Sequence, residues 1–86
     1  MQKGKKYYFQ YKCLRVLLRQ IREESGLSQA DLAEKLTKPQ SYVSKIESGE
    51  RRLDLVELNL LCQTINISLI EFVTRFNKMI DSQDQS

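Results

Sequence analysis

The 86 residues predict an all-α domain of five helices. Three observations carry that prediction. Apolar residues recur at helical spacing, as in Leu14, Leu17, Leu18 and Ile21, the stripe of an amphipathic helix. Helix-start signatures repeat along the chain, each a Ser or Asp followed by an acidic residue at the third position of the helix and bracketed by two apolar residues. No segment sustains the alternation of a half-buried strand.

The first helix is expected over residues 10–24, and Ser25-Gly26 stops it because glycine accepts the left-handed conformation that closes a helix. Ser28 then caps a second helix over 28–36, with Asp31 completing the capping box and Leu27 and Leu32 stapling it. Pro39 opens a third helix over 39–48, where its missing N–H costs nothing, and Gly49 ends it. Val43 and Ile46 are the aliphatic residues of that helix. Asp54 and Glu57, stapled by Leu53 and Leu58, start a fourth helix over 54–64, which buries Leu58, Leu61, Cys62 and Ile65. Ser68 and Glu71, stapled by Ile67 and Phe72, start a fifth over 68–80. The organisation expected is a basic aromatic segment over 1–9, a folded domain over 10–80 and a polar, frayed tail over 81–86.

Composition excludes most chemistry. At 86 residues the chain is too short for a doubly wound nucleotide fold or a barrel. It contains no histidine, so the commonest general base and zinc ligand are missing. Cys13 and Cys62 are 49 residues apart, a spacing that makes neither a metal site nor a redox pair, and both read as small core residues. The longest uncharged stretch, Leu58 to Ile70, is broken by Asn59, Gln63, Thr64, Asn66 and Ser68, so no membrane span is expected. Lys3, Lys5 and Lys6 lead into aromatics rather than into the apolar stretch of a signal peptide. The expectation is a cytoplasmic protein without metal, cofactor or catalysis.

Charge is unevenly divided. Residues 1–52 hold twelve Lys/Arg against six Asp/Glu, a net +6, whereas residues 53–86 hold two against five, a net −3. A basic half facing a polyanion accounts for this, although small solvated domains also show such splits by chance. The second and third helices, short and joined around Thr37-Lys38, make a helix-turn-helix, whose second member can enter the DNA major groove. Gln40, Ser41 and Tyr42, then Ser44 and Lys45, offer amide, hydroxyl and ammonium groups, while Val43 and Ile46 hold the opposite face on the core. Gln pairs with adenine, Ser with several base edges, and Lys with guanine or phosphate. An ordinary solvated helix face is also polar, so it is the position beside the turn that adds weight.

At these residues a resemblance becomes plain. Gly26-Leu-Ser-Gln-Ala-Asp-Leu-Ala33, followed by Pro39-Gln-Ser-Tyr-Val-Ser-Lys-Ile-Glu-Ser-Gly-Glu-Arg-Arg52, resembles the helix-turn-helix of the Cro and phage-repressor type over about residues 13–76. The resemblance implies a five-helix, lambda-repressor-like domain that binds operator DNA, generally as a symmetric dimer. It implies that Gln29 contacts phosphate and braces the recognition helix. Gln40, Ser41 and Lys45 would reach base edges, with Lys38, Tyr42 and Ser44 beside them. Arg51 and Arg52 would touch the DNA backbone, and Arg22 and Glu47 would form a buried ion pair between helices one and three.

The chain departs from the family at Thr37, where glycine is usual. A β-branched residue at positive φ is strained, so either the turn has another conformation or Thr37 caps helix three. Tyr42 is bulky for a groove-facing position and would either stack on a sugar or pack on helix two. The aromatics Tyr7, Tyr8, Phe9 and Tyr11 are interleaved with lysines. They would serve as a minor-groove arm, or extend helix one, or cover helix five. Helix five carries more apolar surface than one side of a small globule covers. Phe76, Met79 and Ile80 near its end are therefore the expected homodimer surface, unless the N-terminal aromatics fold back over them. Function reads as sequence-specific DNA binding by a transcriptional regulator, in the mode of a repressor on a palindromic operator. The rival is an antitoxin-type module whose first partner is another protein.

Overall fold

The computed structural model describes residues 2–84, with side chains described over 7–82. Five helices follow one another: α1 (Gln2–Glu24), α2 (Gln29–Leu36), α3 (Gln40–Ser48), α4 (Leu55–Ile65) and α5 (Leu69–Asp84). The described residues contain no strand. Two boundaries move outward from the sequence expectation. Helix one begins at Gln2 rather than at residue 10, and helix five continues to Asp84, so residues 81–84 are helical rather than frayed. Gln85 and Ser86, and the side chains of Lys3, Lys5 and Lys6, lie outside the described residues.

Helix one is long because its aromatics fall into helical register with its core stripe. Tyr7, Tyr11 and Leu14 run at i, i+4, i+7 and border a groove whose far side is Phe76 of α5. Phe9, Cys13 and Val16 run at the same spacing and border a second groove closed by Met79. Two seams on α1 thus flank α5. The N-terminal aromatics therefore extend helix one along helix five, while Tyr7 and Tyr8 remain mostly exposed. A bidentate contact from Arg75 to Glu24, at 3.0 and 3.2 Å, joins the two helices further along.

Four of the five helices end alike. Gly26, Thr37, Gly49 and Asn66 all take positive φ, and after each the next amide turns back to a carbonyl of the last helical turn. Leu27 reaches Arg22 at 3.2 Å, Lys38 reaches Ala33 at 2.9 Å, Glu50 reaches Lys45 at 2.9 Å and Ile67 reaches Cys62 at 3.0 Å. This six-to-one closure satisfies carbonyls that the helix leaves orphaned. Neither alternative for Thr37 holds. The residue adopts the left-handed conformation itself, with φ 54° and ψ 46°, and closes α2. The residue preceding α3 in capping position is Pro39. A six-to-one bond and the packing of α2 on α3 over-determine the turn, so threonine bears a strain that glycine would not.

The starts follow the expected chemistry. Ser28 with Asp31 and Asp54 with Glu57 form reciprocal capping boxes, and the Glu71 amide donates to Ser68 Oγ at 3.0 Å. The core joins Leu17, Leu18 and Ile21 to Leu32, Leu36, Val43, Ile46, Leu61, Cys62, Ile65 and Phe72. Each helix contributes buried apolar residues to it, α5 through Phe72 while Val73 stays exposed. Cys13 and Cys62 are buried free thiols, and burial pushes the Cys62 thiol up to about 11, which leaves it protonated and inert at neutral pH. Among the described residues, no single helix is long and apolar enough to cross a membrane.

Candidate nucleic-acid interface

Helix α3 presents one polar face because its sequence separates the two sides of the helix. Gln40, Ser41, Ser44 and Lys45 fall at i, i+1, i+4 and i+5, a single strip, while Val43 and Ile46 are buried on the other side. Gln40, Ser41 and Lys45 are exposed. Ser44 is half-buried and donates its hydroxyl to the Ser41 carbonyl at 3.2 Å. Lys38 is exposed at the start of the connection into α3.

Behind this face sits the strongest polar cluster of the domain. Arg22 of α1 donates from Nε to Glu47 Oε2 at 2.7 Å and from Nη2 to Glu47 Oε1 at 3.0 Å. Its Nη1 donates to the Leu27 carbonyl at 2.8 Å. Gln29, in the first turn of α2, donates from Nε2 to Glu47 Oε1 at 2.9 Å. Both charged side chains are only 8% exposed. One carboxylate on α3 therefore gathers α1 and α2. Its hydrogen bonds raise Arg22 further above an already high pKa. Among the described residues no buried side-chain nitrogen or oxygen lacks a partner, so the cluster meets the condition under which a buried ion pair is tolerated. Gln29 braces the helix through this bond.

The flanking residues are organised differently from the expectation. Tyr42 is half-buried and packs against the core that α2 shares. Its hydroxyl donates to Glu57 Oε2 at 3.3 Å, and the Arg51 guanidinium lies 4.8 Å and the Lys38 ammonium 5.2 Å from its ring centre. Arg51 Nη2 also donates to Glu57 Oε2, at 2.6 Å. Tyr42 is thus the platform of a cationic stack tied to the first turn of α4. Glu57 was legible only as the acidic member of a capping box. Its Oε1 accepts from the Asp54 amide at 3.1 Å, and its second oxygen anchors Arg51 and Tyr42. Hydrogen bonds from the Asp54 backbone, then from Arg51, hold its carboxyl below the usual range. Arg52 stacks on Tyr11, with its guanidinium carbon 4.6 Å from the ring centre. Tyr11 was legible only as one aromatic in a basic run, because the meeting of α1 with the segment after α3 is not a local property.

The structure therefore brings Lys38, Gln40, Ser41, Tyr42, Ser44, Lys45 and Arg51 around helix α3, with Gln29, Arg22 and Glu47 beneath. Phe76, Met79 and Ile80 lie apart from this group. Phe76 and Met79 are half-buried against the core, and Ile80 is half-buried. Large apolar residues are more exposed elsewhere on α4 and α5, at Leu55, Val56, Leu60, Ile70 and Val73.

The same architecture recurs in solved structures. An XRE-family-like protein from Pseudomonas syringae pv. tomato is 33% identical, with a TM-score of 0.83 over 91% of this chain and 95% of its own. The wild-type restriction-modification controller protein C.Esp1396I is 30% identical, with a TM-score of 0.78 over 86% of this chain and 96% of its own. The C.Esp1396I tetramer in complex with its natural 35 base-pair operator is likewise 30% identical, with a TM-score of 0.76 over 84% and 95%. No curated protein matches the chain. The helix-turn-helix family model HTH_3 matches residues 18–72, from the middle of α1 into α5. With that match and the geometry of α2 and α3, the chain belongs to the HTH_3 family, the Cro/C1 type of DNA-binding helix-turn-helix regulator.

Proposed function

We propose that this chain is a sequence-specific transcriptional repressor that binds a palindromic operator as a homodimer, with α3 in the major groove. The observation that carries the reading is the exposed strip Gln40, Ser41, Ser44 and Lys45, backed by the Arg22–Glu47–Gln29 cluster. A strip of base-reading side chains discriminates only if its helix is held at one angle, and the cluster supplies that constraint from two neighbouring helices. Lys38, Arg51 and Arg52 flank the strip with positive charge suited to phosphate. C.Esp1396I, crystallised as a tetramer on its operator, supports an oligomer as the bound form. Leu55, Val56, Leu60, Ile70 and Val73 are exposed apolar residues of α4 and α5 that a second copy would cover, whereas Phe76 and Met79 border the α1–α5 grooves.

Selection of bound sequences from random DNA, followed by fluorescence anisotropy on the selected site, tests this. A two-fold-symmetric site is expected, with half-sites about one helical turn apart. Gln40→Ala should cost roughly 1–3 kcal/mol on that site and relax discrimination at one base pair. Arg52→Ala should weaken all sequences alike and lower the salt slope by about one. Equal loss on selected and random DNA for Gln40→Ala would remove it as a reader. Selection without enrichment, from a chain that purifies with a second protein, would favour the antitoxin-type module instead.

A further inference from the structure

A cleft of about 170 Å³ opens between helix α1 and the segment that joins α3 to α4. Tyr8, Tyr11, Leu14 and Leu18 line it from α1, Ile46 from α3 and Leu53 from the joining segment. Three guanidinium side chains, Arg15, Arg51 and Arg52, stand around this apolar chamber. Their situations differ. Arg51 is paired with Glu57 at 2.6 Å. Among the described residues, Arg15 and Arg52 have no carboxylate partner. Arg15 is seated by the backbone: it crosses Gly49 so closely that a Cβ there would meet its Nη1 at 3.0 Å. Exposed arginines are common on any surface. Here two unpaired forks rim an apolar hollow lined by two tyrosines.

We propose that this cleft binds a monocyclic aromatic carboxylate. The size argues for one ring, since an apolar cavity of about 150 Å³ accepts benzene. The walls argue for an aromatic body, which stacks on tyrosine and fills a space between leucines. The rim argues for a carboxylate, the anion whose two oxygens match a guanidinium fork. Arg52 also belongs to the phosphate-contacting set proposed above. A bound acid and the DNA backbone therefore compete for it, and each weakens the other by the same factor. The competition rests on the DNA-binding reading. Binding of the acid to the free chain does not.

The experiment titrates the full chain, without DNA, with benzoate and phenylacetate while ¹H–¹⁵N and aromatic NMR spectra are followed. Saturable shifts are expected at the Gly49, Arg52 and Leu53 amides and on the Tyr11 ring. Benzyl alcohol, which lacks the charge, and acetate, which lacks the ring, should bind about tenfold more weakly or worse, the loss of one charge-assisted hydrogen bond or of the ring's burial. Arg15→Gln should weaken benzoate by a similar factor, and Arg15→Lys should do so too because it keeps the charge and loses the fork. Thermal melts of both variants confirm that the fold is intact. No saturable shift, acetate or benzyl alcohol binding as well as the acids, or unchanged affinity in both Arg15 variants would each overturn the site. Anisotropy on the selected DNA, with and without saturating acid, then reads the competition. Weaker DNA binding with acid supports it, and unchanged DNA affinity overturns it while the site stands. A chain that binds the acid and no DNA overturns the DNA-binding reading and leaves the site intact.

Discussion

Glu47→Ala is the perturbation that separates this fold from a bundle held by apolar contacts alone. The carboxylate accepts three hydrogen bonds, two from Arg22 and one from Gln29, at 2.7–3.0 Å. Removing it leaves the Arg22 guanidinium 8% exposed, with the Leu27 carbonyl as its remaining partner. A charge stranded in this way typically costs about 3–5 kcal/mol, a large part of the roughly 5–15 kcal/mol that stabilises a domain. In a chain of this size each kcal/mol moves the midpoint by about 4–8 °C, so Tm should fall by about 12 °C or more. Urea unfolding followed by circular dichroism should show a lower midpoint with an unchanged slope. Arg22→Ala should act alike. Arg22→Met with Glu47→Leu should recover much of the loss, because no charge is then left alone. An internal control is Arg19–Glu23, a helical pair 65% and 54% exposed, whose removal should cost no more than about 0.5 kcal/mol. If Glu47→Ala and Arg22→Ala shift the midpoint no more than that control, the cluster is not what holds α1, α2 and α3 together.

Thr37→Gly should stabilise the domain by about 0.5–1 kcal/mol, the relief of left-handed strain less the added chain entropy of glycine; a lower denaturation midpoint would contradict the strain. Stability should fall in acid. Asp31 is held below its usual range by the Ser28 backbone, Glu57 by the Asp54 backbone and Arg51, and Glu24 by Arg75. Each contribution is complete above the ordinary carboxylate pKa of about 4 and disappears as pH falls through the lowered folded value. Melting curves between neutrality and acid check this, and Glu57→Gln should flatten part of the loss. Val56→Ser with Ile70→Ser should weaken self-association in sedimentation more than Phe76→Ser with Ile80→Ser. The reverse order would move the proposed dimer surface to the end of α5.

The starts of the helices after α1 and most of the core were legible because they are local. A capping box is a spacing of three residues, and an apolar stripe declares its face within two turns. Arg22 and Glu47 were legible only through resemblance, since nothing in the chain between them signals that they meet. Whether the aromatics extend α1 stayed open in the sequence for a related reason. Tyr7, Tyr8 and Phe9 follow a lysine-rich run and show no strong stripe of their own, and their helical register acquires meaning only against α5.

What the sequence determined by itself is the number and type of the helices, the starting points of those after α1, the apolar stripes of α1 and α4, and the polar strip on α3. These follow from backbone capping and the helical period, which act over a handful of residues. Only the tertiary structure decided that Thr37 closes α2 in a glycine conformation, because the cost of that φ is borne by contacts on either side of the turn. It also decided that Glu57 ties Arg51 to Tyr42, that Arg52 stacks on Tyr11, and that α1 and α5 share two seams. Each of these depends on side chains from different helices arriving at one place. A packed core specifies that arrival, and local spacing does not.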